Sequence, residues 1–445
     1  MKKQLLIIST LFVAVAANAQ WTNQATGYTA VSRGVRDVCS VDANNVWICA
    51  YDGTATKAKV QDFSKTTDGG TTWTPGKITT ANANYEWSNI SAISGTTAWG
   101  CFYDGVGGGG GVYKTTDGGA TWSLQTVGYT TASFPDIVHF WNANNGVTIG
   151  DPAGGYFEIY TTTNGGTSWT RTSTANIPVP LANEYGIVNV FNVQGNTIWF
   201  GTTAGRCYKS TDKGMTWSVS VVSTTATDMV SDVAFRTPME GIACTYDQGG
   251  TIFSPYMTSD GGATWTFLSV SSGTFFGADL EVIPNSSAYV STGANTTVSI
   301  GSSYSVDGGI NWVLIDTAIQ RTAQGWVDGS TGWCGGFNTS ATADGIFKYS
   351  GASLGVTALN RDDAKMRMFP NPCNGQFTVQ IGGAETKDAM VTIVDVAGSV
   401  VYQQNVSNRS VTIEKGFDLP NLSKGLYFVN VKNGATLFSD KLIVK

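Results

Sequence analysis

The sequence predicts an all-β chain, a seven-bladed β-propeller of four-stranded blades followed by a small Ig-like β-sandwich. Three observations carry this expectation. One turn pattern recurs six times at a spacing near 48 residues, the length of a four-stranded blade. A Trp-bearing strand recurs between those turns, and after Gly355 the repeat gives way to non-repeating strands split by Gly and Asn turns. Composition agrees: the 445 residues include 54 Gly and 14 Trp, yet only 13% are charged.

The chain starts with Lys2-Lys3, an apolar run from Leu5 to Ala17, and Ala17-Asn18-Ala19. That is the charged region, short apolar region and small-residue cleavage site of a secretory signal peptide over residues 1–19. Cleavage leaves Gln20 first. No later run approaches the ~18 apolar residues of a spanning helix, so no transmembrane segment is expected.

The six turns read [S/T]-x-[D/N]-x-G-x-[S/T/N]-W, with third positions Asp68, Asp117, Asn164, Asp212, Asp260 and Asp307. These positions lie 49, 47, 48, 48 and 47 residues apart (117 − 68 and so on). The acid can accept hydrogen bonds from turn amides, the glycines take backbone angles other residues resist, and the Trp packs at the start of the next strand. Between them, Val46-Trp47-Ile48-Cys49, Ala98-Trp99-Gly100-Cys101, Ile198-Trp199-Phe200-Gly201 and Gly332-Trp333-Cys334-Gly335 read as one second strand, with Val147, Ile242 and Tyr289 at the matching places. Seven second strands against six turns leave one blade incomplete. Ile346-Phe347-Lys348-Tyr349-Ser350 is a third strand with no turn after it, and Gln20-Trp21-Thr22 resembles the missing fourth. The N-terminal strand is therefore expected to close blade 7, giving a propeller over residues 20–352, a linker over 353–365 and the sandwich over 366–445.

Chemistry is limited by one histidine. His139 alone excludes a two-imidazole metal site, and any Ser-His-Asp or Cys-His mechanism would have to use it. The net charge of −6 argues against nucleic acid as a partner. Seven cysteines without a C-x-x-C pair do not make a complete disulfide framework or a zinc site, although Cys39 and Cys49 flank one turn and are candidates for a cross-strand bridge.

If the six turns mark one face, loops joining second to third strands mark the other. Those loops open on Tyr51-Asp52, Tyr103-Asp104, Asp151 and Tyr246-Asp247, and the first strands carry Asp37, Asp136, Asp232 and Asp279, with Asn89 at the matching place in blade 2. Innermost strands surround the channel, so these acids and tyrosines are the candidate ligand site at its mouth. Tyrosine stacking with carboxylate hydrogen bonds suits a sugar, and the carboxylates alone suit a hard cation such as calcium. The competing reading is structural, since Asp-Gly is common turn chemistry and first-strand acids can bond neighbouring blade amides.

The six turns resemble the Asp-box (BNR repeat) of sialidase-like β-propellers, and the blade framework is similar to the photosystem II assembly factor type. The resemblance implies that Asp68, Asp117, Asn164, Asp212, Asp260 and Asp307 are structural, joining third to fourth strands opposite the ligand face. A sialidase needs three converging arginines, and Arg33-Gly34-Val35-Arg36 does not replace the Arg-Ile-Pro motif of that family. Xyloglucanases with such boxes work between two propellers, whereas one is expected here. The C-terminal run, with Pro370-Asn371-Pro372, Asp395-Val396-Ala397-Gly398, Gly425-Leu426-Tyr427 and a basic end at Lys445, resembles the type A C-terminal sorting domain of type IX secretion cargo. That resemblance implies the type IX secretion machinery as a partner and export to the medium or the outer-membrane surface. The expected function is binding of a glycan or protein ligand at the channel mouth; the alternative is a glycoside hydrolase using the same carboxylates.

Overall fold

The computed structural model describes residues 20–80, 82–247, 252–296, 299–354, 366–382, 388–396, 399–407, 412–433 and 436–445. The expected leader and most of the expected linker lie outside these. The chain divides into two compact units, Met1–Val356 and Thr357–Lys445.

In the first unit, blade 1 is the antiparallel sheet Arg33–Ser40, Val46–Asp52, Asp62–Thr66 and Thr74–Lys77. Blades 2 to 6 repeat this four-strand order over residues 85–125, 135–171, 186–221, 228–267 and 279–317. Blade 7 takes three strands, Gln324–Asp328, Thr331–Ser340 and Ala343–Tyr349, from the end of the repeat. Its fourth strand, Trp21–Ala25, comes from the other end and pairs antiparallel with the third, Trp21 opposite Tyr349. Ring closure thus rests on backbone hydrogen bonds between residues over 300 positions apart.

The repeat pattern has a local cause in each blade. In the first turn, the Thr66 hydroxyl donates to Asp68 Oδ1 (2.8 Å) and accepts from Gly70 N (2.8 Å), while Asp68 accepts from Thr72 N (2.9 Å) and the Thr72 hydroxyl. Gly70 sits at φ +87°, in the left-handed region that favours glycine. The other turns close the same way around Asp117, Asn164, Asp212, Asp260 and Asp307. Hydrogen bonds from the threonine hydroxyls and amides hold Asp68 and Asp117 down to about 2.

Second-strand tryptophans fill the gaps between blades. Trp47, Trp99, Trp199 and Trp333 are fully buried, and Trp47 Nε1 donates to Ser94 O of blade 2. A third-strand lysine covers each ring: Lys65 Nζ lies 4.9 Å from the Trp47 centroid, Lys114 5.0 Å from Trp99, Lys209 5.7 Å from Trp199 and Lys348 5.2 Å from Trp333. Lys65 also donates to Gly95 O and Lys348 to Gly69 O, so these side chains tie blade 1 to blade 2 and blade 7 to blade 1.

The second unit is a sandwich of a three-stranded sheet (Met366–Phe369, Gln376–Gly382, Thr412–Asp418) and a four-stranded sheet in the order Val400–Val406, Ala389–Asp395, Gly425–Asn433, Thr436–Val444. Alternate residues Val379, Ile381, Ile393, Val429, Val431 and Leu442 fill its core. Asn371 runs along the last strand, accepting from Ile443 N and donating to Lys441 O.

Candidate functional site

The first strands of blades 1, 2 and 5 each carry a β-bulge at one place, between Val35 and Asp37, Trp87 and Asn89, and Val230 and Asp232. A bulge re-aims the residue beside it. The re-aimed side chains are Asp37, Asn89 and Asp232, and each reaches into the next blade. Asp37 Oδ2 accepts from Ile90 N at 2.9 Å, Asn89 Oδ1 from Val138 N at 2.9 Å, and Asp232 Oδ2 from Leu280 N at 2.6 Å. Asn89 also donates to Val138 O, satisfying both its amide ends. These residues are clasps between blades.

Asp136 is placed differently. The register puts Ile137, not Asp136, at the clasp position, because the blade 3 bulge falls between Pro135 and Ile137. Asp136 is therefore the bulged residue. Its side chain meets Asp151 from the second strand, and burial, then the Asp151 charge, push its carboxyl well above the usual range. Burial pushes Asp151 up to about 6, against hydrogen bonds from Gly186 N (2.7 Å) and Asp136. Two carboxyls this close oppose each other's ionisation. Asp136 Oδ2 has no hydrogen-bond partner, and the residue is 3% exposed.

On the first strand of blade 6, Asp279 and Glu281 alternate with the buried Leu280 and Val282, so both lie on the opposite face of the strand. Burial, then the charge of Asp232, raises each of them well above its ordinary value. Burial likewise lifts Asp232 to about 7 and Asp37 to about 6, the latter against hydrogen bonds from Ile90 N and the Asn189 side chain. Asp37 is in blade 1 and Asn189 in blade 4, so side chains meet across a narrow channel. Among the described residues no group of three or more His, Cys, Asp or Glu is arranged to hold a metal ion.

The loop acids are also engaged. Asp52 closes the loop after blade 1's second strand through Thr54 N, both the Thr54 and Thr56 hydroxyls and Ala58 N (2.7 Å), and pairs with Arg33 at 3.1 Å. Against the cost of burial, these hydrogen bonds hold its carboxyl down to about 2. Asp104 does the same in blade 2, taking Gly107 N and Val106 N, which lower it, and Asn82 Nδ2. Asp247 lies opposite Asp228 in the blade 5 ladder; the loop beyond it is outside the described residues.

What remains presented at the mouth is aromatic. Tyr51 is half-buried edge-on to Phe337 (5.7 Å), with the Arg36 guanidinium 5.3 Å from its ring centroid. Half-buried Tyr103 lies against Phe134 at 5.7 Å, and Tyr246 against Phe253 at 5.0 Å. Burial raises the phenols of Tyr51, to about 12, and Tyr103, and the positive charge of Arg36 opposes both shifts. The other arginines near the loops have separate partners: Arg206 binds Glu184, and Arg321 binds Asp316. His139 packs edge-on against Trp141 at 4.8 Å, and burial keeps its imidazole neutral by lowering it to about 4. Cys39 lies opposite Trp47 and Cys49 opposite Asp37, so they are out of register for a bridge, and all seven cysteines are free. Glu281 and Asn189 escaped sequence reasoning; the alternation Asp279-Leu280-Glu281 was the signal for the first.

Residues 367–445 match the model of the secretion system C-terminal sorting domain. No curated protein matches the chain. Among solved structures, YCF48 bound to a D1 peptide is 15% identical with a TM-score of 0.50, covering 75% of this chain and 97% of its own. YCF48 from Cyanidioschyzon merolae is 16% identical with a TM-score of 0.52, covering 75% and 99%. An ancestral GH74 enzyme is 15% identical with a TM-score of 0.52, covering 95% of this chain and 63% of its own. At such identities the likeness is one of fold. The chain is a β-propeller that carries, at its C-terminal end, a secretion system sorting domain of the kind that marks a protein for export.

Proposed function

We propose that this chain is a type IX cargo, released or held at the cell surface, whose propeller binds a glycan or protein ligand at the channel mouth. One observation carries the binding reading. Four of the predicted acids are spent on the fold, Asp37 and Asp232 as clasps and Asp52 and Asp104 as loop closures, whereas Tyr51, Tyr103 and Arg36 offer half-buried aromatic and cationic surface. Rigid aromatic faces with few polar groups suit recognition. YCF48, of similar fold, has been solved with a D1 peptide bound, which supports a binding reading.

A glycan array and a peptide panel, run with the purified wild type and with Tyr51→Ala/Tyr103→Ala, test this. A ligand retained by the wild type and lost from the double variant, with an unchanged melting curve, supports the reading. Equal binding by both places the site elsewhere.

The second reading is hydrolysis. The Asp136–Asp151 pair favours it, since two neighbouring carboxyls that burial raises above the usual range are the kind of pair from which acid/base chemistry is built.

A further inference from the structure

The four-stranded sheet of the C-terminal unit has one face in the sandwich core and one facing out. Alternation assigns Leu426 and Phe428 to the outward face, between the buried Tyr427 and Val429. Register then builds two apolar rows there. Val400 lies opposite Val394, and Val394 opposite Phe428; one step along, Leu426 lies opposite Ile443, with Val396 directly after the neighbouring strand. Val396 is 72%, Val400 59%, Ile443 44% and Leu426 38% exposed. Exposed β-sheet positions are ordinarily polar, and this patch spans all four strands. Lys424, Lys441 and Lys445 border it, Lys441 directly opposite Phe428.

We propose that this face is the docking surface through which the export machinery reads the chain, and that its partner is an apolar protein surface edged with carboxylates. The proposal rests on the sorting-domain reading: a unit whose role is to be recognised needs a recognition surface. The inner face of the sheet is used by the core. The basic border fixes the sign of the partner's charge, because complementary rims steer and align such contacts. The apolar centre would supply most of the affinity, as buried centres of interfaces do.

The test is an export assay of the full chain in a host with a working type IX system, reading the ratio of exported to periplasmic protein. Val400→Thr/Leu426→Thr/Ile443→Thr keeps β-favouring side chains and removes the apolar centre. Its export should fall about tenfold, as expected when central contacts of an interface are lost, while its melting curve stays that of the wild type. Lys424→Glu/Lys441→Glu should also reduce export, and the conservative Leu426→Val should not. Phe267→Thr, an equally exposed apolar position on the propeller, should leave export unchanged. If deletion of residues 367–445 leaves export intact, the sorting reading itself fails. If deletion stops export but the triple variant is exported normally, the docking face is wrong. A triple variant that changes only the oligomeric state, measured by light scattering, reassigns the face to self-association and overturns the proposal.

Discussion

The guanidinium carbon of Arg321 lies 4.0 Å from the centroid of Phe347, and 5.4 Å from that of Trp21. Arg321 comes from the loop between blades 6 and 7, Phe347 from the third strand of blade 7 and Trp21 from the N-terminal strand. The side chain is 2% exposed, and its Nε donates to Asp316 at 3.0 Å, while Asp316 also accepts from the Ser302 hydroxyl, which in turn accepts from Trp21 Nε1 at 2.9 Å. A buried cation, its carboxylate and two aromatic rings thus meet where the two ends of the ring join.

Arg321→Met should therefore destabilise the propeller strongly. Removing one partner of a buried ion pair leaves the other uncompensated, a loss of about 3–5 kcal/mol. Urea unfolding of the purified variant checks this; a loss below ~1 kcal/mol would show that the pair contributes only as a surface pair does.

Trp21→Ala removes the ring that packs on Trp326 (5.6 Å) and Tyr349 (5.3 Å) in the closing blade. Truncating a buried Trp costs about 3–5 kcal/mol. Deleting residues 20–25 should go further and abolish a single cooperative transition in calorimetry, since blade 7 then loses its fourth strand.

Stability should fall as pH rises from 5 to 8. In the unfolded chain the carboxyls of Asp37, Asp151 and Asp232 titrate near their ordinary 3.8, whereas burial raises them to about 6, 6 and 7 in the fold. The folded state therefore holds more protons, and its relative stability is lost as pH climbs through that window. Asp52 and Asp68, held down to about 2, act oppositely and only in acid, their contribution disappearing as pH drops from 3.8 towards 2. Asp232→Asn should be tolerated and should flatten the slope, because Asn89 already performs the same clasp in blade 2. Melting temperature against pH for both proteins is the measurement; a wild type more stable at pH 8 than at pH 5 would contradict it.

Thr66→Val should cost about 1–3 kcal/mol, because the hydroxyl that accepts from buried Gly70 N is gone and the methyl cannot replace it. Urea unfolding reads the effect, and an unchanged midpoint would mean the turn holds without its first residue.

The repeat made much of the fold legible. Turn spacing sets the blade length, and the surplus third strand at Ile346–Ser350 points to Trp21 as the closing strand, which pairs with it in the fold. The site was less legible because bulges do not announce themselves in sequence. Asp136 looks equivalent to Asp37 by spacing, yet it occupies the bulge itself, where blade 1 has Arg36, and so meets Asp151 instead of clasping the next blade. The burial of Arg321 is not legible in the sequence, since it depends on Trp21, a residue 300 positions away. Glu281 differs: its i, i+2 relation to Asp279 puts both on one face of the strand in plain sight.

Binding rather than hydrolysis is tested most directly by incubating the purified propeller-bearing chain with a broad panel of chromogenic glycosides, beside Asp136→Asn and Asp151→Asn variants. The expected result is no turnover above buffer by any of the three proteins. Turnover by the wild type that either substitution abolishes, in a variant with a normal melting curve, would contradict the binding reading and make the Asp136–Asp151 pair an acid/base centre.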